Sequence, residues 1–189
     1  TLTRSDMPHA HDSAMMLDPP TRPDDLGVID EFDIEEKIGQ GGMGIVFRGY
    51  DRTLNRKVAI KVMAPHLGAN EAARKRFSRE AQAAATIVHP HVVPIYRISS
   101  SPDRPYMAMA FVEGCSLQDF VSRDGPLDKA EIIRIAIQAT EGLRAAHRQG
   151  LIHRDVKPAN ILLNQDTGQV MITDFGLARA ADDLAMTQS

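Results

Sequence analysis

His153-Arg154-Asp155-Val156-Lys157-Pro158-Ala159-Asn160 is followed, fourteen positions after its asparagine, by Asp174-Phe175-Gly176. The pattern H-R-D-x-x-x-x-N holds four fixed residues at roughly one position in twenty each, so chance places it in about one chain per thousand of this length. A random surface loop is a poor account of it. Phosphoryl transfer needs a carboxylate beside the attacking hydroxyl, cations on the phosphate oxygens and oxygen ligands for hydrated magnesium. Asp155, Lys157, Asn160 and Asp174 make up such a set. The apolar runs 161–163 and 170–173 read as short strands, which places these residues in the loops that flank them.

Working toward the N-terminus, Gly39-Gln40-Gly41-Gly42-Met43-Gly44-Ile45-Val46 contains G-x-G-x-x-G. That pattern alone is weak, since about 6% of chains this long would carry it by chance. Context separates two kinds of glycine loop. A dinucleotide-binding fingerprint opens a helix, whereas 45–50 reads as a second strand, so a hairpin lid over a nucleotide fits better than that fingerprint, beside the plain alternative of a flexible hairpin turn. Val58-Ala59-Ile60-Lys61 lies on the next strand, and alternation puts Ala59 and Lys61 on one face, beneath the glycines. Glu80, on a predicted helix, is a candidate partner for Lys61. It is equally placed for an i to i+4 pair with Arg76, worth a few tenths of a kcal/mol.

Around these motifs, strands are expected at 32–38, 45–50, 57–63, 92–98 and 106–112, with a turn at 51–55. A helix over 70–88 would bury Phe77, Ala81, Ala84 and Val88. Beyond Gly114 the pattern is helical, short at 117–121 and long at 128–148 through Ile132, Ile135, Ala139, Leu143 and Ala146, with Gly150 as C-cap. Residues 1–31, with Pro8, Pro19, Pro20 and Pro23, read as a disordered leader whose His9 and His11 are solvated.

At 189 residues and 43% hydrophobic the chain can bury a core, and a net charge of −3 marks no surface for nucleic acid. Cys115 stands alone, which excludes an internal disulfide, fits a reducing compartment and reads as a packing residue. No apolar run approaches the roughly 18 residues that span a bilayer.

In order and context, the glycine loop, V-A-I-K, the helix glutamate, H-R-D-V-K-P-A-N and D-F-G resemble the signature set of eukaryotic-type protein kinases. The wording of 41–44 and 151–163 is most similar to bacterial serine/threonine kinases, and Lys157 separates it from tyrosine kinases. The likeness covers 32–189. It implies an α+β protein-kinase-like fold. Its N-lobe, a five-stranded antiparallel sheet plus one helix, would run with the hinge over 32–112. Residues 113–189 would be the first part of a mostly helical C-lobe, and 1–31 the leader.

The resemblance further implies transfer of the ATP γ-phosphate to serine or threonine hydroxyls of proteins, with autophosphorylation through self-association. Asp155 would be the base or hydroxyl-orienting group, Lys157 a γ-phosphate contact, and Asn160 and Asp174 the Mg2+ ligands. Lys61, oriented by Glu80, would hold the α- and β-phosphates. Ile38, Gly39, Gln40, Gly41, Gly42, Met43, Gly44, Val46, Ala59 and Leu162 would enclose the nucleotide. Met109 would be the gatekeeper and Ala110 to Val112 the hinge that reads adenine. His153 and Phe175 would belong to the stack that aligns the lobes. Arg154 resembles the arginine of kinases switched on by activation-segment phosphorylation, with Thr187 and Ser189 as candidate acceptors.

Two departures stand out. Ala110 occupies a position where glutamate is common, and the sequence stops thirteen residues after Gly176. A polypeptide of this length is therefore expected to be poorly stable and weakly active, with an apolar face of the 128–148 helix exposed. The expected location is cytoplasmic, with room for a membrane anchor further along. The alternatives are an ATP-binding pseudokinase that serves as a signalling scaffold, which would usually lack one of Lys61, Asp155 or Asp174, and a small-molecule phosphotransferase, against which Lys157-Pro158 speaks.

Overall fold

Strict alternation builds the N-terminal half. Ile45 and Phe47 on one strand, with Val58, Ile60 and Val62 on the next, turn to one face and are almost wholly buried. Val46, Ala59 and Lys61 turn to the other. The computed structural model describes residues 16–101 and 103–175. Six strands form one antiparallel sheet: β1 (Gly27–Ile29), β2 (Phe32–Gly41), β3 (Gly44–Asp51), β4 (Arg56–Met63), β5 (Ile95–Ser99) and β6 (Tyr106–Ala110), in the order β1-β2-β3-β4-β6-β5.

The sheet therefore has six strands where five are expected. The sixth, β1, lies within the stretch read as a leader, and Met16 joins Ile29, Phe32, Phe47, Ile60 and Tyr106 in the core of one sheet face. Three residues beside a proline-rich run are too few to show a period, so β1 is not legible locally. Pro8, His9 and His11 lie outside the described residues.

The other face takes helix α2 (Glu71–Ala85), which follows a single turn, α1 (Pro65–Gly68). Asn70 caps α2 by accepting from the Ala73 amide, and Phe77 and Ala81 pack with Met63, Leu67 and Met107. The helix ends at Ala85 with Thr86 as cap, so Val88, expected on its buried face, is instead 96% exposed. The strand expected at 92–98 starts only at Ile95 because residues 91–93 pair elsewhere. The Val93 amide donates to the Ile172 carbonyl and the Ile172 amide to that of His91.

That detour joins the two halves. β7 (Gly114–Ser116), β8 (Ile161–Asn164) and β9 (Val170–Ile172) form a second antiparallel sheet, flanked by α3 (Leu117–Asp124) and α4 (Lys129–Arg148). Gly142 of α4 lies so close to His91 that an added Cβ would meet its carbonyl oxygen at 2.4 Å. Gln149 is the C-cap, and Gly150, expected in that place, lies one residue beyond it with φ +73.

Helix α4 buries Ile135, Ala139 and Ala146, but Ile132, Ile133 and Ile137 are 51%, 59% and 56% exposed. The helix thus exposes apolar side chains, Ile132 of its apolar period among them, as expected from the sequence. Exposed apolar side chains close together on one helix are of the kind that drives association. Purified 1–189 polypeptide is expected to self-associate with rising concentration, and Ile133→Lys with Ile137→Lys to reduce that association. Sedimentation velocity across a concentration series checks both. Among the described residues no helix is long and apolar enough to cross a membrane.

Candidate active site

A cavity of about 890 Å³ opens between the glycine hairpin and the second sheet. Gly41 pairs with Gly44 across the tip of the β2–β3 hairpin, and the Met43 carbonyl accepts from the Ala64 amide. Gly44 has φ +147, and a Cβ on it would lie 1.9 Å from the Val62 carbonyl oxygen. At Gly41 and Gly42 a Cβ would meet nothing within 4 Å. The protein's own packing thus demands glycine at Gly44 but not at the tip, where the space faces the cavity.

The hairpin roofs the cavity with Ile38, Gly39, Gln40, Gly41, Gly42, Met43, Gly44 and Val46. Ala59 and Lys61 of β4 form its wall, with Met109 and the segment from Ala110 to Val112, and Leu162 of β8 its floor. Among the described residues, neither the amide nor the carbonyl of Val112 makes a hydrogen bond, whereas the Ala110 amide donates to Pro94. Val112 therefore presents a donor and an acceptor side by side, the pairing that a purine edge can match.

At the deep end the charged groups meet. Lys61, 7% exposed, pairs through Nζ with Asp174 Oδ1 at 2.7 Å. Asp174 has φ +62 and Arg154 φ +65, both in the left-handed region. The Lys157 ammonium lies 2.8 Å from Asp155 Oδ2, and Asn160 Nδ2 donates to the Asp155 carbonyl at 2.9 Å and to its carboxylate at 3.2 Å. The hydrogen bond from Lys157, aided by its charge and by Asn160, holds the Asp155 carboxyl below its ordinary value against the opposing effect of burial.

A brace keeps these two loops together. The Asp155 amide donates to His153 Nδ1, which leaves Nε2 as the donor to the Thr173 carbonyl at 2.8 Å. The Thr173 amide donates to the Asn160 carbonyl, and the His153 ring lies 4.7 Å from that of Phe175. Asp155, Asn160 and Asp174 are thereby fixed on one frame.

Every residue expected to bind nucleotide, metal or acceptor lines this cavity except Glu80. Glu80 is on α2 and 9% exposed, and the Lys61 ammonium pairs with Asp174. Gly176, Thr187 and Ser189 lie outside the described residues. Sequence reasoning missed Thr173, whose hydroxyl approaches the Met109 sulfur at 3.8 Å, and the lip formed by Ser116, Gln118 and Asp119. Thr173 adjoins Asp174 in the sequence, which is the signal for it. The lip depends on how α3 lies against the 158–160 turn. Cys115, read as a packing residue, is half-buried in the cavity wall.

Comparison with known proteins gives a consistent result. The family model described as Protein kinase domain matches residues 32–189. Serine/threonine-protein kinase PknB of Mycobacterium leprae is 40% identical over 165 residues, 85% of this chain and 26% of that protein. The PknI kinase domain of Mycobacterium tuberculosis superposes with a TM-score of 0.71 at 28% identity, over 79% of this chain and 61% of that one. The structure of Rad53 1-466 in complex with AMP-PNP gives 0.68 at 32% identity, over 78% and 38%. The chain spans about a quarter of the length of the curated relatives it matches.

Proposed function

This chain belongs to the protein kinase domain family, and from that premise we propose that it carries the catalytic centre of a serine/threonine kinase. The reaction is transfer of the ATP γ-phosphate to hydroxyls of protein substrates, its own chain among them. The observation that carries the reading is the convergence of Lys61, Asp155, Asn160 and Asp174 at the deep end of a cavity whose other end offers the Val112 donor and acceptor. AMP-PNP in the Rad53 complex and the name of the PknB relative support the nucleotide and the acceptor class. A cytoplasmic site of action belongs to the same proposal and rests on the lone cysteine.

Each side chain has a defined task. Asp155, kept ionised, accepts a hydrogen bond from the acceptor hydroxyl and orients its oxygen. Lys157 places a positive charge beside that oxygen. Asn160 spends its amide nitrogen on Asp155, which leaves its oxygen, together with the Asp174 carboxylate, as hard ligands suited to a magnesium ion. A magnesium ion held there would offset the negative charge of the phosphate oxygens. Lys61 supplies a second cation from β4, and Gly41 and Gly42 leave the roof open to close approach of phosphate oxygens. Glu80 orienting Lys61 remains part of the proposal as a contact of a rearranged state.

The decisive experiment incubates the intact protein and a protein substrate with labelled ATP and magnesium, then locates phosphate by mass spectrometry. Phosphoserine or phosphothreonine is expected, and its loss in Lys61→Met. Nucleotide binding without any transfer would overturn the reading.

A pH prediction follows from Lys157. A carboxyl held below its ordinary value stays ionised further into acid and loses its charge only as the pH falls through that lowered value. Lys157→Met removes the main cause. The acid limb of the kcat/KM profile is expected to move to higher pH, as measured by rates from pH 4 to 8.

A further inference from the structure

The six-stranded sheet is open, with β1 and β5 at its two edges, yet side chains bridge those edges. The β1–β2 hairpin turns on Asp30 and Glu31, and Asp30 has φ +49. Tyr106 of β6 donates its hydroxyl to Asp30 Oδ2 at 2.6 Å. Arg97 of β5 pairs with Asp30 at 3.4 Å and also with Glu31. Arg52, from the β3–β4 turn, donates to the Asp30 and Glu31 carbonyls. Further out, both terminal nitrogens of Arg104 reach the Asp18 carboxylate, at 2.8 and 2.9 Å, and Asp18 exchanges two backbone hydrogen bonds with Val28 of β1. Beneath this ring Met16 and Ile29 close over Phe32 and Tyr106, whose rings meet edge to face.

The two strands so joined are those that set the cavity's height. β2 runs from the Asp30 turn to the glycine hairpin, with register shifts at 34/36 and 37/39 that make it a bent strand. Tyr106 begins β6, the strand paired with β4, where Met107 faces Lys61. An open sheet changes its twist readily; one whose edges are tied does not.

We propose that the clasp of Asp30, with Tyr106 and the Asp18–Arg104 pair, is a positioning element for nucleotide binding that acts through β2 on the glycine hairpin. The proposal rests on the cavity being the nucleotide site. None of these residues lines it.

The test uses the intact protein with Asp30→Gly, which suits the left-handed backbone, Tyr106→Phe, which keeps the buried ring, and Arg104→Asp alone and combined with Asp18→Arg. Amide hydrogen exchange is followed over 39–46, and affinity is measured with trinitrophenyl-ATP and magnesium. Each variant that breaks the clasp is expected to speed exchange at 39–46 and to raise Kd about fivefold, the equivalent of one hydrogen bond. KM for ATP should rise with it while kcat stays within about twofold. The charge-swapped pair should restore both readouts. Faster exchange confined to 16–31, or an unchanged Kd in Tyr106→Phe and Arg104→Asp alike, would overturn the proposal. If the unaltered protein fails to bind trinitrophenyl-ATP, the nucleotide reading itself falls, and exchange at 39–46 still decides whether the clasp governs the hairpin.

Discussion

Asp155→Asn is expected to leave ATP affinity nearly unchanged and to slow phosphoryl transfer about a thousandfold, within the range found for removing a general base. Asparagine has the shape of aspartate, and the Asn160 bond to the Asp155 backbone carbonyl is independent of the side chain. The loop should therefore keep its course, braced by His153 against Thr173. What is lost, on the role proposed for Asp155, is the charge that holds the acceptor hydroxyl, and with it the balance of Lys157, whose ammonium lies 2.8 Å away. The measurement is kcat and nucleotide Kd on the same preparation. A fall in kcat below about tenfold would remove Asp155 from the role of base.

The second large effect concerns two neighbouring glycines that look alike in the sequence. Gly44→Ala is expected to cost about 3 kcal/mol of stability or more, from overpacking and from a backbone region that disfavours side chains. Its φ is +147, and the new methyl would lie 1.9 Å from the Val62 carbonyl oxygen and 2.9 Å from its carbon, both rigid backbone of β4. Relief requires opening the β3–β4 ladder at Gly44 and Met63, where the hairpin meets the core. Gly42→Ala should do the reverse. Apart from its two chain neighbours, no atom of the described residues lies within 4 Å of its methyl, so the melting temperature should hold while KM for ATP rises. Calorimetry on both variants, paired with ATP titration, separates the two outcomes. Equal melting temperatures would contradict the packing argument.

Much of this was accessible from residue order. The strands of the first sheet follow from alternation over 45–50 and 57–63, and the hairpin from its glycines. The deep end of the cavity follows from motifs in which the chemistry is carried by residues a few positions apart. Asp155, Lys157 and Asn160 occupy a single loop, so their mutual contacts are a local property. Departures arose wherever a contact spans the chain. Residues 16–31 read as a leader because Asp18 has its partner, Arg104, 86 positions on, and Asp30 has Tyr106, 76 positions on. Val88 fits a helical period, but the chain leaves the helix after Ala85 so that residues 91–93 can join β9.

Lys61 shows the division most sharply. Its place on β4 beneath the glycines is a matter of alternation, and the amino-acid order determines it, as it determines the set of groups that line the cavity's deep end. Which carboxylate the lysine meets is decided only by the tertiary structure. Glu80 and Asp174 are both acids of suitable charge, and the chosen partner depends on where α2 and the strand ahead of Asp174 lie against β4. The same holds for the clasp. Charge and periodicity act over a few residues along the chain, whereas the closing of an open sheet depends on distances that exist only after its edges have come together.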